Sequence, residues 1–201
     1  MNNYQKISCW NKLFDNYVTV IPEPERFKKD RDSVSRKLAL IQEECNELIE
    51  AFNTLNYAEM YDAICDIQVT AYGMGSGFGM PLDRQLRGMC GVTNTNDSST
   101  HFVTIKNICL TKRDFKQFSF DCPTKPSRSL LEDPNRIACL KNLLTSSLNC
   151  LIKCAVTEPD FEKTIFSLSL LIAETYVIGA YLGLDVDYGV DIVNQKNTEK
   201  S

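Results

Sequence analysis

The sequence predicts an all-α fold, an antiparallel helical bundle, and three observations carry that reading. Apolar residues recur at helical spacing over four long segments. Those segments are bounded by Pro, Gly and Asn clusters placed as the turns of helical hairpins. Strand-like alternation is confined to "HFVTIKNICL" at 101–110, inside an irregular or partly β insertion at about 84–128.

In order along the chain, residues 6–17 form a short amphipathic helix through Ile7, Trp10 and Phe14, which Pro22 and Pro24 cannot continue. Ser33 or Ser35 can cap the next helix, about 34–54. Asn53 and Asn56 make a turn, and a third helix runs from about 57 to 72, where "GMGSGFGMP" is expected to break it. Helical periodicity returns at 136–156 and again at 160–183. The chain therefore reads as one domain: an acidic half at about 1–83, an insertion at about 84–135, and a second helix pair with a C-terminal tail at about 136–201.

The stretch 165–184 is apolar enough to raise a transmembrane question. It carries Ser167, Ser169, Glu174 and Thr175 and lacks a basic flank, so a helix buried on most sides is expected, with no membrane partner. The net charge of -4 is mild and the basic residues are scattered, which disfavours duplex nucleic acid. Nine cysteines form an odd set without a C-x-x-C pair or an apolar leader, so reduced thiols in a cytoplasmic protein are expected. With His101 the one histidine, zinc and Cys-His or Ser-His chemistry have little to build on.

The two halves echo each other. A shift of 104 residues sets Tyr72 on Tyr176, Gly79 on Gly183 and Asp83 on Asp187, and a shift of 103 sets "NELI" on "NCLI". At 104, Glu44 falls on Leu148, Glu47 on Leu151, Asp62 on Phe166 and Asp66 on Leu170. The second helix pair is a degenerate copy that has exchanged acid for apolar side chains.

At about 100° per residue, Leu38, Ile41, Cys45, Leu48 and Phe52 form one apolar stripe, with Glu44 and Glu47 along its edge and Glu43 turned further towards water. Met60, Ala63, Ile64, Ile67 and Ala71 form the next stripe, with Glu59, Asp62 and Asp66 in a row beside it. The two acidic rows face each other if the hairpin packs. Residues 38–82 contain no Lys or Arg, and like charges at a core edge are costly unless paired or metal-bound. Oxygen ligands at this charge density suit Mg²⁺, with Mn²⁺ as the alternative, and such ions usually also hold phosphates. The plainer reading is that the acids only solvate helix faces.

"EECNE" followed after eleven residues by "EMYD" resembles the EExxE and ExxD motifs of the MazG-like, all-α nucleoside triphosphate pyrophosphohydrolases, which include dimeric dUTPases, dCTP pyrophosphatases and phosphoribosyl-ATP pyrophosphohydrolase. The C-terminal "VNQKNTEK" is similar to the family's VHxSNxxK tail at Val193, Asn197 and Lys200, with Asn194 in place of His and Lys196 in place of Ser. The resemblance implies Glu44, Glu47, Glu59 and Asp62 as Mg²⁺ ligands, Glu43 or Glu47 as the catalytic carboxylate and Asp66 as a supporting one. It also implies Lys37, Asn197 and Lys200 at a nucleoside triphosphate and a homodimeric assembly. Read by themselves, Asn197 and Lys200 fit equally a frayed polar tail, and Trp10 fits a core residue better than a base-stacking one. A nucleotide-binding protein without turnover and a helical interaction protein remain the alternatives.

Overall fold

The structure, a computed structural model, describes residues 1–90 and 133–199. The alternating stretch at 101–110 and most of the expected insertion, as well as Lys200, lie outside the described residues. Among the described residues every regular element is helical.

Helix α1, Asn3–Leu13, starts earlier than expected because Asn2 and Gln5 form a reciprocal capping box. The following prolines do more than stop it: Pro24 occupies the first position of a short helix, α2, Pro24–Lys29, where a missing N–H costs nothing. Helix α3, Arg31–Thr54, is capped by Asp30, whose carboxylate accepts from the Ser33 amide, and not by Ser33 or Ser35. Leu55 ends it in the left-handed region at φ 53°. Helix α4, Tyr57–Phe78, does not stop at residue 72 but runs through Gly73, Gly75 and Gly77 to Gly79. The glycines survive inside it because neighbours press on them: a Cβ at Gly75 would strike Leu82, and one at Gly77 would lie 3.0 Å from Lys37 Cε. Helix α5, Leu82–Cys90, occupies ground assigned from sequence to the insertion.

In the second half, α6, Pro134–Ile152, passes into a π-helical turn, Lys153–Thr157. Arg31 from α3 caps that turn by donating to the carbonyls of Ala155 at 2.6 Å and Val156 at 3.3 Å. Helix α7, Phe161–Leu182, and helix α8, Val186–Glu199, complete the chain; the tail is thus helical and not frayed.

The expected repeat is present, and its register is sharper than the sequence showed. A shift of 104 residues carries both ends of α4 onto those of α7 and the start of α5 onto that of α8. It also carries the N-cap Asn56 onto Asp160 and Gly79, at φ 67°, onto Gly183, at φ 68°. The close approach of Gly75 to Leu82 recurs as that of Gly179 to Val186. The Tyr72–Asp83 hydrogen bond recurs as Tyr176 donating to Asp187 at 2.6 Å. Helix α3 follows a shift of 103 instead: its start at Arg31 and end at Thr54 fall on Pro134 and Thr157, and its N-cap Asp30 falls on Asp133. Buried Ile41, Cys45, Leu48, Ala51 and Phe52 accordingly reappear as Leu144, Leu148, Leu151, Cys154 and Ala155. That register places Ser147 and Cys150 at the positions of Glu44 and Glu47, correcting the Leu148 and Leu151 pairing, while Asp62 and Asp66 remain over Phe166 and Leu170.

The two hairpins stack with α4 on α7 and α3 on α6, and their short helices cross over: α5 packs on α7, and α8 packs on α4. Helix α1 lies on α4 beside α8. Each buried Leu, Ile or Phe in the shared core stabilises this arrangement by about 1.5–3 kcal/mol. Helix α7 is long and apolar enough to cross a membrane by composition, yet 78% of its most apolar window is buried among the other helices. Cys9, Cys45, Cys65, Cys139, Cys150 and Cys154 are free thiols.

Among the described residues, one charge-bearing group sits wholly inside. Glu174 on α7 has no exposed surface, accepts from Ser147 Oγ at 2.5 Å through one oxygen and leaves the other unpartnered. Burial pushes its carboxyl up to about 8, against the opposing pull of the Ser147 bond.

Two outcomes follow from these features. The folded state holds a proton on Glu174 that the unfolded chain, with the ordinary carboxyl value of 4.5, releases. Stability therefore falls as pH rises from about 4.5 to about 8 and levels off above, and Glu174→Gln removes up to about 1.4 kcal/mol per pH unit of that slope. Urea titrations across this range measure it. Gly79→Ala combines left-handed strain with a collision against the Ile21 carbonyl and costs about 2–4 kcal/mol. The exposed Gly183→Ala costs about 1 kcal/mol, and denaturant midpoints of the two variants compare them.

Candidate active site between α3, α4 and α8

The antiparallel pairing of α3 with α4 brings Lys37 beside Gly73 and Glu44 beside Asp66. The stripes that face the core at Ile41, Cys45, Leu48, Met60, Ile64 and Ile67 fix the rotation of both helices, so the acids at their edges have no choice but to share a cleft. Glu44 is half-buried at its centre. Burial first, then the negative charges of Asp66, Glu47, Glu43 and Asp62, raise its carboxyl to about 7. Five of the six acids singled out from sequence thus converge. Glu59 sits one turn before Asp62, exposed in the first turn of α4, and is not among the groups that act on Glu44.

Among the described residues no three His, Cys, Asp or Glu side chains are gathered closely enough to hold a metal ion as they stand. The donor chemistry nonetheless fits a hard divalent cation: carboxylate oxygens only, and a central acid whose proton affinity is raised by burial and then by the negative charge of its neighbours. Glu43, Glu47, Glu59 and Asp62 are exposed, so their rotamers are free to change.

Two turns along α3 from Glu44, about 10 Å away, the charge reverses. Lys37 is largely buried and donates from Nζ to the Gly73 carbonyl at 3.3 Å. Burial, and then Arg26 and Arg36, hold its ammonium below the ordinary lysine value. Arg26 is held in turn, donating to the Gly77 carbonyl at 2.8 Å and lying 3.9 Å over the Tyr17 ring. The role of Arg26 and Arg36 was not read from sequence. The available signal was Gly77, on α4 at the place where a lysine needs room to lie down.

Helix α8 closes the third side. Gly189 rests on Cys65 and the Tyr61 ring, where a Cβ would collide, and the Tyr61 hydroxyl donates to the Asp185 carbonyl at 2.6 Å. Lys196 comes near enough to act on the Cys65 thiol together with Asp66 and Asp62. The tail therefore does return to the acidic face. Asn197 lies on this helix, though its side chain is outside the described residues, as is Lys200. Trp10 on α1 is half-buried, packs on Phe14 with ring centroids 4.8 Å apart, and has no partner for Nε1.

Residues 11–89 match the model of the phosphoribosyl-ATP pyrophosphohydrolase family, part of the MazG-like all-α superfamily. The match takes in α2 to α4 with the whole acidic set and leaves the second hairpin out. An uncharacterized protein of Acanthamoeba polyphaga mimivirus is 25% identical over 198 residues, covering 98% of this chain and 70% of its own length, so that likeness spans both hairpins. No solved structure matches the chain.

Because the carboxylates repel one another in the absence of a cation, Glu44→Gln in chelator is expected to raise stability by up to about 1 kcal/mol. Mn²⁺ is expected to raise the melting temperature of the wild type more than that of Glu44→Gln, and thermal melts with and without Mn²⁺ check both signs.

Proposed function

We propose that this chain, whose residues 11–89 carry a domain of the phosphoribosyl-ATP pyrophosphohydrolase family, hydrolyses nucleoside triphosphates to nucleoside monophosphate and pyrophosphate. The family supports a nucleotide pyrophosphohydrolase activity in general; a Mg²⁺ requirement, with Mn²⁺ as the substitute, and a deoxynucleotide substrate are our own extension. The observation that carries the reading is the charge layout: four carboxylates around Glu44, and a cationic end where Lys37, about 10 Å along the same helix, gathers Arg36 and Arg26. A metal-phosphate substrate needs both signs in that order.

Glu44, Glu47, Glu59 and Asp62 would hold the cation, which supplies Lewis acidity to the phosphate oxygens and lowers the pKa of a bound water. Glu43 or Glu47 orients the attacking water and accepts its proton, with Asp66 supporting the row from α4. One phosphorus–oxygen bond forms to the water oxygen while the bond to the pyrophosphate oxygen breaks, and the leaving group departs with its electron pair. Lys37, held close by its bond to Gly73, meets the phosphate charge, and Arg26 and Arg36 add to that field. Asn197 and Lys200 are assigned to the nucleotide on the strength of the tail motif.

The second hairpin covers the apolar face of the acidic one within a single chain, so a homodimer, which we retain as an expectation, is not required to complete the bundle. A cytoplasmic site of action accords with the free thiols. A second reading, nucleotide binding without turnover, draws on the open arrangement of the carboxylates.

Product analysis with Mg²⁺ or Mn²⁺ and a panel of nucleoside and deoxynucleoside triphosphates separates the two. Equimolar monophosphate and pyrophosphate are expected, with kcat reduced about 100-fold or more in Glu44→Gln and Asp62→Asn and KM raised in Lys37→Met. Metal-bound protein that retains nucleotide but releases no product refutes the catalytic assignment.

A further inference from the structure

Tyr61, Cys65 and Gln68 follow one another on α4 at i, i+4 and i+7 and so share a face. Asp62 and Asp66 stand one residue beyond Tyr61 and Cys65, about 100° round the same helix, so this face adjoins the carboxylate row. Helix α8 is seated on it by its first residues. The Tyr61 hydroxyl donates to the Asp185 carbonyl at 2.6 Å, Gly189 lies against the Tyr61 ring and Cys65 Sγ, and Asp187 is joined to Gln68 through Asn3. Further along the docked side, Gly189, Val193 and Lys196 are spaced at i, i+4 and i+7. Val193 is buried, and Lys196 reaches back along the helix, as long helical side chains do, near enough to act on Cys65 together with Asp62 and Asp66.

Asn3 is the hub of that seat. Its Nδ2 lies 2.7 Å from Asp187 Oδ1 on α8, 3.1 Å from Gln68 Oε1 on α4 and 3.1 Å from the Tyr176 hydroxyl on α7, three acceptors for an amide with two hydrogens. The shortest bond goes to a carboxylate and is the strongest of the three. Tyr176 gives its own proton to Asp187 at 2.6 Å, and Gln68 donates onward to Thr175 at 3.1 Å. One buried side chain from α1 thus ties α4, α7 and α8 together. Lys6, almost one turn along α1, adds an outer pair with Asp191 at 2.6 Å.

The repeat supplies an internal comparison. The same tyrosine–aspartate bond, Tyr72 with Asp83, stands at the start of α5. Shifted by 104 residues, however, Gln68 falls on Ile172, an apolar core residue of α7. Among the described residues, the amide link beneath the bond therefore belongs to the α8 side alone. Burying two amides costs desolvation that an apolar side chain avoids, so the scaffold by itself does not call for Asn3 and Gln68. What the α8 side has and the α5 side lacks is a carboxylate row next to the seat.

We propose that Asn3 is a positioning residue of the cleft: by holding Asp187 and Gln68 together it keeps α8 on the face of α4 beside the carboxylates, and so keeps Lys196 where it meets the phosphate charge of the substrate. The proposal rests on the nucleoside triphosphate reading and adds to it the group that fixes the third wall of the site. Asn3 acts through α8 and carries no chemistry of its own.

Cys65 reports on the seat directly, because it is buried under Gly189, whereas Cys45 and Cys154 are buried in α3 and in the π turn. The experiment labels the full-length native protein with N-ethylmaleimide, reads each cysteine by peptide mass, and measures kcat and KM on the preferred triphosphate with Mg²⁺. Asn3→Asp keeps the size of the side chain and removes its donors. In this variant Cys65 is expected to label about tenfold faster or more while Cys45 and Cys154 stay as slow as in wild type. KM is expected to rise about tenfold with kcat within about twofold. Combining Asn3→Asp with Asp187→Asn exchanges donor and acceptor and is expected to restore both Cys65 protection and KM. Lys6→Met removes only the outer pair and shifts each readout by about twofold or less. Unchanged Cys65 protection in Asn3→Asp, labelling of all three cysteines together, no recovery in the exchanged pair, or an opened Cys65 with unaltered KM would overturn the positioning role and leave the hydrolytic reading standing. If no triphosphate is cleaved, the hydrolytic reading falls, and the same variants are scored on affinity for a non-hydrolysable α,β-methylene deoxynucleoside triphosphate. There a loss of about tenfold in Asn3→Asp, regained in the exchanged pair, supports the role, and an unchanged affinity overturns it.

Discussion

A two-helix hairpin has one apolar face and nothing of its own to set against it, and the whole architecture follows from how this chain meets that constraint. The face of α3 and α4 is covered by a second hairpin of matched lengths, α6 with its π turn and α7, supplied further along the same chain. The short helices then exchange, α5 going to α7 and α8 to α4, so each hairpin is closed by the other half's last helix. Glycines make the exchange possible at van der Waals distance. Gly75 and Gly179 admit Leu82 and Val186, and Gly189 admits Cys65 and Tyr61.

Duplication of the scaffold did not duplicate the chemistry. Where the first hairpin has Glu44, Glu47, Asp62 and Asp66, the second has Ser147, Cys150, Phe166 and Leu170. The second hairpin keeps one carboxyl on this face, Glu174 at the position of Thr70, and buries it completely with Ser147 as its partner. A buried carboxyl is tolerable when it stays protonated, and burial is what raises its proton affinity. Glu44 meets a related problem at a half-open position, where its neighbours are carboxylates and a cation from solution can reach them. The same scaffold thus holds one acid as a neutral core group and another as the centre of an open anionic cleft, and exposure is what separates them.

The cleft also has direction. Carboxylates occupy the middle of α3 and α4, the cations Lys37, Arg26 and Arg36 gather at one end, and α8 with Lys196 approaches from the other side. Lys37 lies flat because Gly77 leaves room for its chain and the Gly73 carbonyl accepts from its Nζ. Once docked against a backbone carbonyl it has little freedom to swing into the acids and quench them. That separation keeps the negative charge available.

The sequence by itself determined the helical class, the acidic rows and the repeat, because each is a matter of spacing along a helix: 3.6 residues per turn converts EECNE and EMYD into edges of known stripes. It also carried the resemblance that assigns those edges a chemistry. Only the tertiary structure decided what depends on contact between distant segments. Glycine propensity pointed to a break after residue 72, but packing of Leu82, Asn11 and Lys37 against Gly75, Gly73 and Gly77 holds α4 helical to Phe78. The register of α6 is 103 and not 104 because the burial of Leu144, Leu148 and Leu151, which no local pattern compares with α3, sets it. The polar tail is a helix because Gly189 docks on α4, and the Asn3–Asp187 and Lys6–Asp191 bonds exist only where two helices from opposite ends of the chain lie side by side. Spacing is local and legible in one dimension. Which groups are left without a partner is a property of the packed whole.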